Sequence, residues 1–433
     1  MDNEKLADKI NEYIESEKDN IVSTLKTYIN YKSINKEQLL EGQKTEIVEC
    51  QKWLKKQMED MNCFDNIDYY ELEEKRPNVV GVKKGKGGGR SLLFNAHSDV
   101  VTVSEEQKKA WKVLSAFDGG IKDGKVWGRG ATDMKGGGTA MLYAFKALKE
   151  LRINLKGDLI LSYVDGEESG RAEIGIWSLI DRGYTADFAI MGEPTNLNIF
   201  NKSKGEIYLD IKVEGESTHI CNRYRTIWPQ KTEEQRVGVN AIDKMVKLIN
   251  AFSELERSWG LEYYDPDLEP GSTTVTVSMI RGGESFSAQA GECTMTIASM
   301  FAPQLSVEEI KGQLMGTIEC TSKYDYWLKD HPPRVSLPFP AKVPLDVPRD
   351  DESIRTCEQS FQEVMKQKPT VRPSPFVGDV NYMFEKGIKG VNWGPGDLSM
   401  GIHGPNEHVP VDQVLNAAKI YAVTALNWCG LTE

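Results

Sequence analysis

The chain predicts an α/β protein whose mixed, mostly parallel sheet is interrupted by a smaller α+β insertion. Three observations carry that reading. Short apolar runs at Leu92–Phe94, Leu159–Val164 and Phe188–Met191 alternate with helix-like stretches, the pattern of strands covered by helices. Around Lys204 the texture changes to period-two alternation, in Ile207–Val213, Thr273–Ile280 and Cys293–Met300, which suits an antiparallel sheet with helices on one face. Finally, a chain of 433 residues that is 39% hydrophobic is long enough for two or three domains and a large core.

The elements follow in order. Leu6, Ile10, Tyr13 and Ile14, then Ile21, Leu25, Tyr28 and Ile29, keep helical spacing with an interruption near Glu17 and Lys18. Val79–Val82 and Leu92–Phe94 are β-like. The Gly-rich segment Lys83–Arg90 between them lacks the Gly-Lys-Ser/Thr ending of a phosphate loop and precedes a strand rather than a helix, so it predicts a hairpin turn. Leu142, Phe145, Leu148 and Leu151 are again helical, and Trp177, Leu179 and Ile180 are helix-like. Within the insertion a helix is expected at Ala241–Ala251. The Pro-rich stretch from His331 to Pro348 is the expected return path, and a final helix spans Val411–Trp428. The organisation predicted is a discontinuous domain of residues 1–203 and 329–433, with an inserted domain at 204–328.

Charge and cysteines narrow the classes. Lys plus Arg number 53 against 65 Asp plus Glu, a net charge of −12, which argues against an extended nucleic-acid or anionic-membrane footprint. The seven cysteines are scattered, with no C-x-x-C pair, and read as reduced thiols. The first residues carry no basic-then-apolar signal, and no stretch approaches the ~20 apolar residues that span a bilayer. The expectation is a cytoplasmic protein with a small-molecule substrate and neither nucleic acid nor membrane as partner.

Five polar segments stand out, and they hold three of the five histidines, His97, His403 and His408, with most of the strand-end acids. Asn95-Ala96-His97-Ser98-Asp99 follows an apolar run; residues two apart on a strand share a face, so Asp99 can reach the His97 ring, although the segment alone also reads as an ordinary polar strand end. Trp127–Gly138 contains Gly128-Arg129-Gly130 and Asp133. A dinucleotide-binding G-x-G-x-x-G fails there, because its last glycine position is Asp133 and no strand is expected close before it. Asp165-Gly166-Glu167-Glu168 places neighbouring carboxylates after a strand, where burial is costly unless a cation or proton resolves the repulsion. Gly192-Glu193-Pro194-Thr195 and Gly401–His408, which contains His403, complete the set. His97, the Glu167–Glu168 pair and Glu193 each lie just past a strand-like run, where ligands of parallel sheets bind. Imidazole and carboxylate donors suit Zn²⁺ or a similar divalent ion, and five such donors suit two ions ~3.5–4 Å apart with one carboxylate shared.

In order and in detail the five segments resemble the di-zinc amidohydrolase and exopeptidase family of acetylornithine deacetylase, succinyl-diaminopimelate desuccinylase, aminoacylase and glutamate carboxypeptidase. Its pattern is H-x-D, G-R-G-x-x-D-M-K-G-G, E-E, G-E-P-T and a late H-G-x-N-E, and the resemblance spans nearly the whole chain. It implies a zinc-exopeptidase-like catalytic domain with an inserted lid and dimerisation domain. It implies that His97 and Glu193 bind one zinc, Glu168 and His403 the other, and that Asp133 bridges them; Co²⁺ or Mn²⁺ are alternatives. Asp99 would orient His97 and Glu167 would be the general base. A cis peptide is expected between Asp133 and Met134. His219 would donate to the oxyanion from the other subunit of a homodimer, and Glu407 would support His403. His331 and His408 are left as structural or solvated.

The match departs in the insertion. An extra stretch beginning Cys221–Gln230 precedes Gly238-Val239-Asn240-Ala241-Ile242, Ser287 stands where the family has asparagine, and Met300 stands where it has the arginine that grips a substrate carboxylate. Methionine cannot replace that bidentate clamp, so the substrate lacks the usual α-carboxylate or has it held by Arg223, Arg225 or Arg281. The reading is hydrolysis of an amide in a small N-acylated or N-carbamoylated amine or amino acid. The alternatives are a metallo-exopeptidase acting on dipeptides or C-terminal residues, and a binding protein with a spent site.

Overall fold

Buried apolar strands build a nine-stranded sheet in the computed structural model, which describes residues 3–227 and 237–432. The chain divides into two units: one formed by the residues up to Lys202 and from Leu345 onward, the other by Ser203–Pro344.

In the first unit the strand order is Asn66–Glu71, Pro77–Lys83, Leu159–Val164, Leu92–His97, Phe188–Met191, Gly390–Asn392, Ile199–Ser203 and Leu345–Asp346, with Val371–Ser374 also pairing Ile199–Ser203. The middle of the sheet is parallel: Leu92–His97 pairs in parallel with Leu159–Val164 and Phe188–Met191, and Gly390–Asn392 with Phe188–Met191. Every residue of Leu92–His97, Leu159–Val164 and Phe188–Met191 is buried, which is why these strands read as continuous apolar runs rather than alternating ones. Antiparallel pairs flank them. The helices Gly136–Glu150 and Val411–Cys429 pack on each other and share one core with the sheet. The interruption near Glu17 falls between the helices Asn3–Ser16 and Lys18–Asn30. Among the described residues no helix is long and apolar enough to cross a membrane.

The glycine-rich segment is not a hairpin turn. Leu159–Val164 lies between Pro77–Lys83 and Leu92–His97, so the segment crosses over it. Its glycines serve close approach: a Cβ on Gly85 would fall 2.2 Å from the Lys156 carbonyl oxygen, and one on Gly89 2.1 Å from that of Cys429. A second difference lies before the G-R-G segment, where a short strand, Lys125–Trp127, ends directly at Gly128 and pairs with Ile121–Lys122 and His408–Pro410. Three residues are too few to show alternation in sequence.

The second unit is a four-stranded antiparallel sheet in the order Thr274–Gly282, Glu292–Phe301, Gly205–Glu214, Arg334–Ser336. Burial alternates along Gly205–Glu214 and Glu292–Phe301, and the helices Ala241–Glu262 and Val307–Lys323 join the buried face in one core. The unit extends past residue 328, where the sequence placed the return. Arg334–Ser336 pairs with Lys212–Asp210, so the Pro-rich segment serves as an edge strand of the insertion before it leaves. Pro is tolerated beside such an edge, which explains why proline alone misplaced the boundary.

Candidate metal centre

Three adjacent parallel strands deliver the polar groups to one edge. His97 ends Leu92–His97, Glu167 and Glu168 follow Leu159–Val164, and Glu193 follows Phe188–Met191 after Gly192. Asp133 arrives from the turn between Lys125–Trp127 and the helix Gly136–Glu150, and its peptide bond to Met134 is cis. Close contact between backbones fixes this turn against the sheet: a Cβ on Gly137 would lie 2.0 Å from the Gly192 carbonyl oxygen.

Asp133 stands between two histidines. Its Oδ1 is 3.0 Å from His97 Nε2, and its Oδ2 is 3.3 Å from His403 Nε2. Glu193 Oε1 is 3.9 Å from His97 Nε2, and Glu168 Oε2 is 3.0 Å from His403 Nε2. One donor atom from each of His97, Asp133 and Glu168 fits within 4.8 Å of the others. All five residues assigned to metal in sequence therefore meet, in two imidazole–carboxylate pairs on the two oxygens of one aspartate.

The electrostatics fit a cation. Burial, and then the neighbouring Asp133 charge, push Glu168 up to about 7 and raise Glu193. Burial alone would lower His97, but the hydrogen bond to Asp133 and the surrounding carboxylates raise it. Hydrogen bonds to Asp133 and Glu168 push His403 up to about 11. Burial would raise Asp133, and the two imidazoles hold it well below the usual carboxylate range. Crowded, buried carboxylates with nitrogen donors are the donor set that a divalent ion satisfies.

Asp99 contributes differently from the sequence reading. The His97 Nδ1 partner is the main-chain carbonyl of Asp99 at 2.9 Å, while the carboxylate Oδ1 is 3.7 Å away. Donation from Nδ1 to this carbonyl orients the ring so that Nε2 is the nitrogen turned toward Asp133. The other carboxylate oxygen accepts from Asn35 Nδ2 at 2.6 Å and from the Glu168 amide at 3.2 Å, so this side chain anchors the Glu168 turn. Gln38 Nε2 holds the same turn through the Glu168 carbonyl at 2.7 Å.

Glu407 also differs. Its carboxylate does not support His403; it accepts from Arg129 Nη1 at 2.6 Å and from the amides of Thr132 and Asp133 at 3.1 and 3.2 Å. Arg129 Nη2 reaches the Gly404 carbonyl at 3.1 Å. This buried pair ties the loop of the central aspartate to the loop of His403. His408 stacks near Trp127 and His331 lies flat on Trp327, so both are packing residues.

Glu167 lines a cavity of about 340 Å³ together with Asp133, Glu168, Glu193 and His403. It stands with Glu193 over Gly378: a Cβ there would lie 3.6 Å from Glu167 Oε1 and 3.8 Å from Glu193 Oε1. Neither Gly378 nor Asn35 carried a signal in sequence, since both lie far along the chain from the acids they serve.

His219 belongs to the second unit. It is exposed, pairs with Ala288, and accepts at Nδ1 from the Cys221 amide at 3.2 Å, which leaves the ring hydrogen on Nε2 as a donor. Arg223 is engaged by Asp243 and by Gln289 Oε1 at 3.3 Å. Arg225 is exposed in the helix Arg223–Ile227, and Arg281 is exposed on the edge strand. Met300 is half-buried between Glu206 and Thr274 of the neighbouring strands. Part of the extra stretch, residues 228–236, lies outside the described residues.

With this fold and this donor set, the chain belongs to peptidase family M20/M25/M40, whose family model matches residues 93–427. It is similar to the N-formyl-4-amino-5-aminomethyl-2-methylpyrimidine deformylase of Bacillus subtilis (strain 168), at 31% identity covering 96% of each chain. It is similar to the acetylornithine deacetylase of Myxococcus xanthus, at 27% identity covering 82% of this chain and 84% of that one. In fold it matches the solved metallo-carboxypeptidase Sso-CP2 from Sulfolobus solfataricus, with a TM-score of 0.73 at 18% identity, covering 94% and 98% of the two chains. The protein is a metal-dependent amide hydrolase of this family.

Proposed function

We propose that the chain removes a small acyl group, formyl foremost, from the nitrogen of a small amine in the cytoplasm, using two zinc ions. The observation that carries this reading is the central aspartate with an imidazole on each carboxylate oxygen. His97 and Glu193 would hold one ion, Glu168 and His403 the other, and Asp133 both. The name of the B. subtilis relative, a deformylase of an aminomethylpyrimidine, supports formyl as the acyl group and an amine without a carboxylate.

Divalent ions held by these five residues would supply Lewis-acid polarisation of the scissile carbonyl and activation of the attacking water. Glu167 takes the water proton and later delivers it to the leaving nitrogen, the task of a carboxylate within hydrogen-bond reach of both. The Asp99 main-chain carbonyl keeps His97 in the tautomer whose Nε2 is a ligand, and the Asp99 carboxylate holds the Glu168 turn. His219 is proposed as the hydrogen-bond donor to the oxyanion, supplied by a second copy of the chain.

A homodimer formed through the second unit is part of this proposal. Thr274–Gly282 is an edge strand carrying exposed Met279 and Ile280, and the helix Ala241–Glu262 exposes Ile242 and Val246. An unpaired apolar edge invites isologous pairing. Light scattering should give twice the chain mass, and Ile280→Glu should give the mass of one chain; a monomeric native protein would remove this part of the proposal.

The decisive functional test is a screen of the purified, zinc-loaded protein against N-formyl, N-acetyl and N-carbamoyl amines and a set of dipeptides. N-formyl amines should be cleaved best. Dipeptides cleaved in preference would favour the exopeptidase alternative.

A further inference from the structure

The cavity beside the five donors has a second wall of opposite character. Pro194, Phe376, Val377, Leu398 and Ile402 line it, and no lysine or arginine does so among the described residues. An α-carboxylate placed there would face Glu167, Glu168 and Glu193 with no cation on this wall, at the cost of like-charge repulsion and desolvation.

The wall is pre-organised. Ser374 Oγ donates to the Phe376 carbonyl at 2.7 Å and accepts from the Phe376 amide at 3.2 Å, which closes the turn that presents the ring. Phe200 meets the Phe376 ring edge-to-face at 6.0 Å between centroids. Leu398, 47% exposed, stands on the opposite chain segment. Its turn is fixed by the Ser399 amide donating to Asp397 Oδ1 at 2.9 Å. Leu398 thus adds exposed apolar surface to the lining of the cavity.

The geometry also says which half of the substrate meets this wall. A proton donor must lie within hydrogen-bond reach of the leaving nitrogen. Glu167 stands over Gly378, two residues along from Phe376, so the group carried by that nitrogen extends over Phe376 and Val377. We propose that Phe376, Leu398 and Ile402 form the subsite for the amine half, and that it takes a flat aromatic or heteroaromatic methylamine rather than an amino acid. This rests on the amide-hydrolase reading with Glu167 as the proton carrier.

The test has a kinetic arm and a binding arm. In the kinetic arm, N-formylbenzylamine should exceed N-formylglycine in kcat/KM by about tenfold or more, the discrimination an apolar pocket supplies. Phe376→Ala should raise KM for N-formylbenzylamine by a similar factor of about ten while changing N-formylmethylamine little. Leu398→Ala, at an exposed position, should act in the same direction without threatening the fold, and Phe376→Tyr should retain most of the preference. In the binding arm, calorimetry of the zinc-loaded protein should show benzylamine binding and glycine not, with the benzylamine signal lost in Phe376→Ala. Preference for N-formylglycine, or variants that leave the two substrates in the native ratio, would overturn the subsite. If no amide were cleaved, the proposed function would fall, and the binding arm would still decide this inference: equal binding of benzylamine and glycine would overturn it.

Discussion

Glu167→Gln should lower kcat by about two to four orders of magnitude, the usual worth of a positioned general acid–base group, and leave metal content and fold intact. The argument is positional. Glu167 and Glu168 are neighbours on one short turn, Glu167–Ser169, yet they face different tasks. Glu168 reaches His403 at 3.0 Å, whereas Glu167 is found over Gly378 beside Glu193, on the cavity lining. Glutamine keeps the shape and removes the basic oxygen, so the loss should sit in kcat with KM nearly unchanged. Glu168→Gln should behave differently, losing metal as well as activity. Steady-state kinetics with metal analysis on the same samples separates the two; a Glu167→Gln protein within tenfold of native turnover would remove Glu167 from its role.

Glu407→Ala should destabilise the protein by about 3–5 kcal/mol, the cost of leaving one member of a buried ion pair without its partner. Arg129 and Glu407 are each 1% exposed and lie 2.6 Å apart. The lost carboxylate would strand the guanidinium and also the amides of Thr132 and Asp133. Because Arg129→Met removes the charge that Glu407 compensates, the double variant Arg129→Met/Glu407→Ala should lose less than the sum of the singles. Denaturant midpoints measure this. Additive losses would show that the pair is not coupled, and a Glu407→Ala midpoint equal to the native one would show that it carries no stability. Metal affinity should fall in the same variants, since this pair joins the two loops that bring Asp133 and His403 together.

Of the proposed metal residues, His97, Glu168 and Glu193 were legible in sequence because rare groups sit where strands stop, whereas Asp133 and His403 stood out through the family resemblance. Histidine and adjacent acids directly after buried apolar runs have few reasons to be there, and a parallel sheet gathers such positions on one edge. The supporting contacts were not legible in the same way. Glu407 looked like an attendant of His403, its near neighbour, but its partners Arg129, Thr132 and Asp133 are distant in the chain and only the fold brings them close. Asp99 was expected to use its carboxylate on His97; the strand end turns so that the main-chain oxygen does so, a difference set by backbone direction rather than residue type. The glycine-rich crossing and the end of the insertion failed for a shared reason. Both depend on which strand lies beside which, namely Leu159–Val164 beside Pro77–Lys83 and Arg334–Ser336 beside Gly205–Glu214. Local pattern reports that a strand exists, not its neighbour.

The central claim is that one aspartate is shared by two cations, each completed by an imidazole and a glutamate. Anomalous diffraction from zinc-loaded crystals of the native chain and of Asp133→Ala tests it most directly. Two peaks are expected in the native protein, one against His97 and Glu193 and one against Glu168 and His403, with both weakened or lost in the variant. A single peak, or a pair that persists unchanged without the Asp133 carboxylate, would contradict the account.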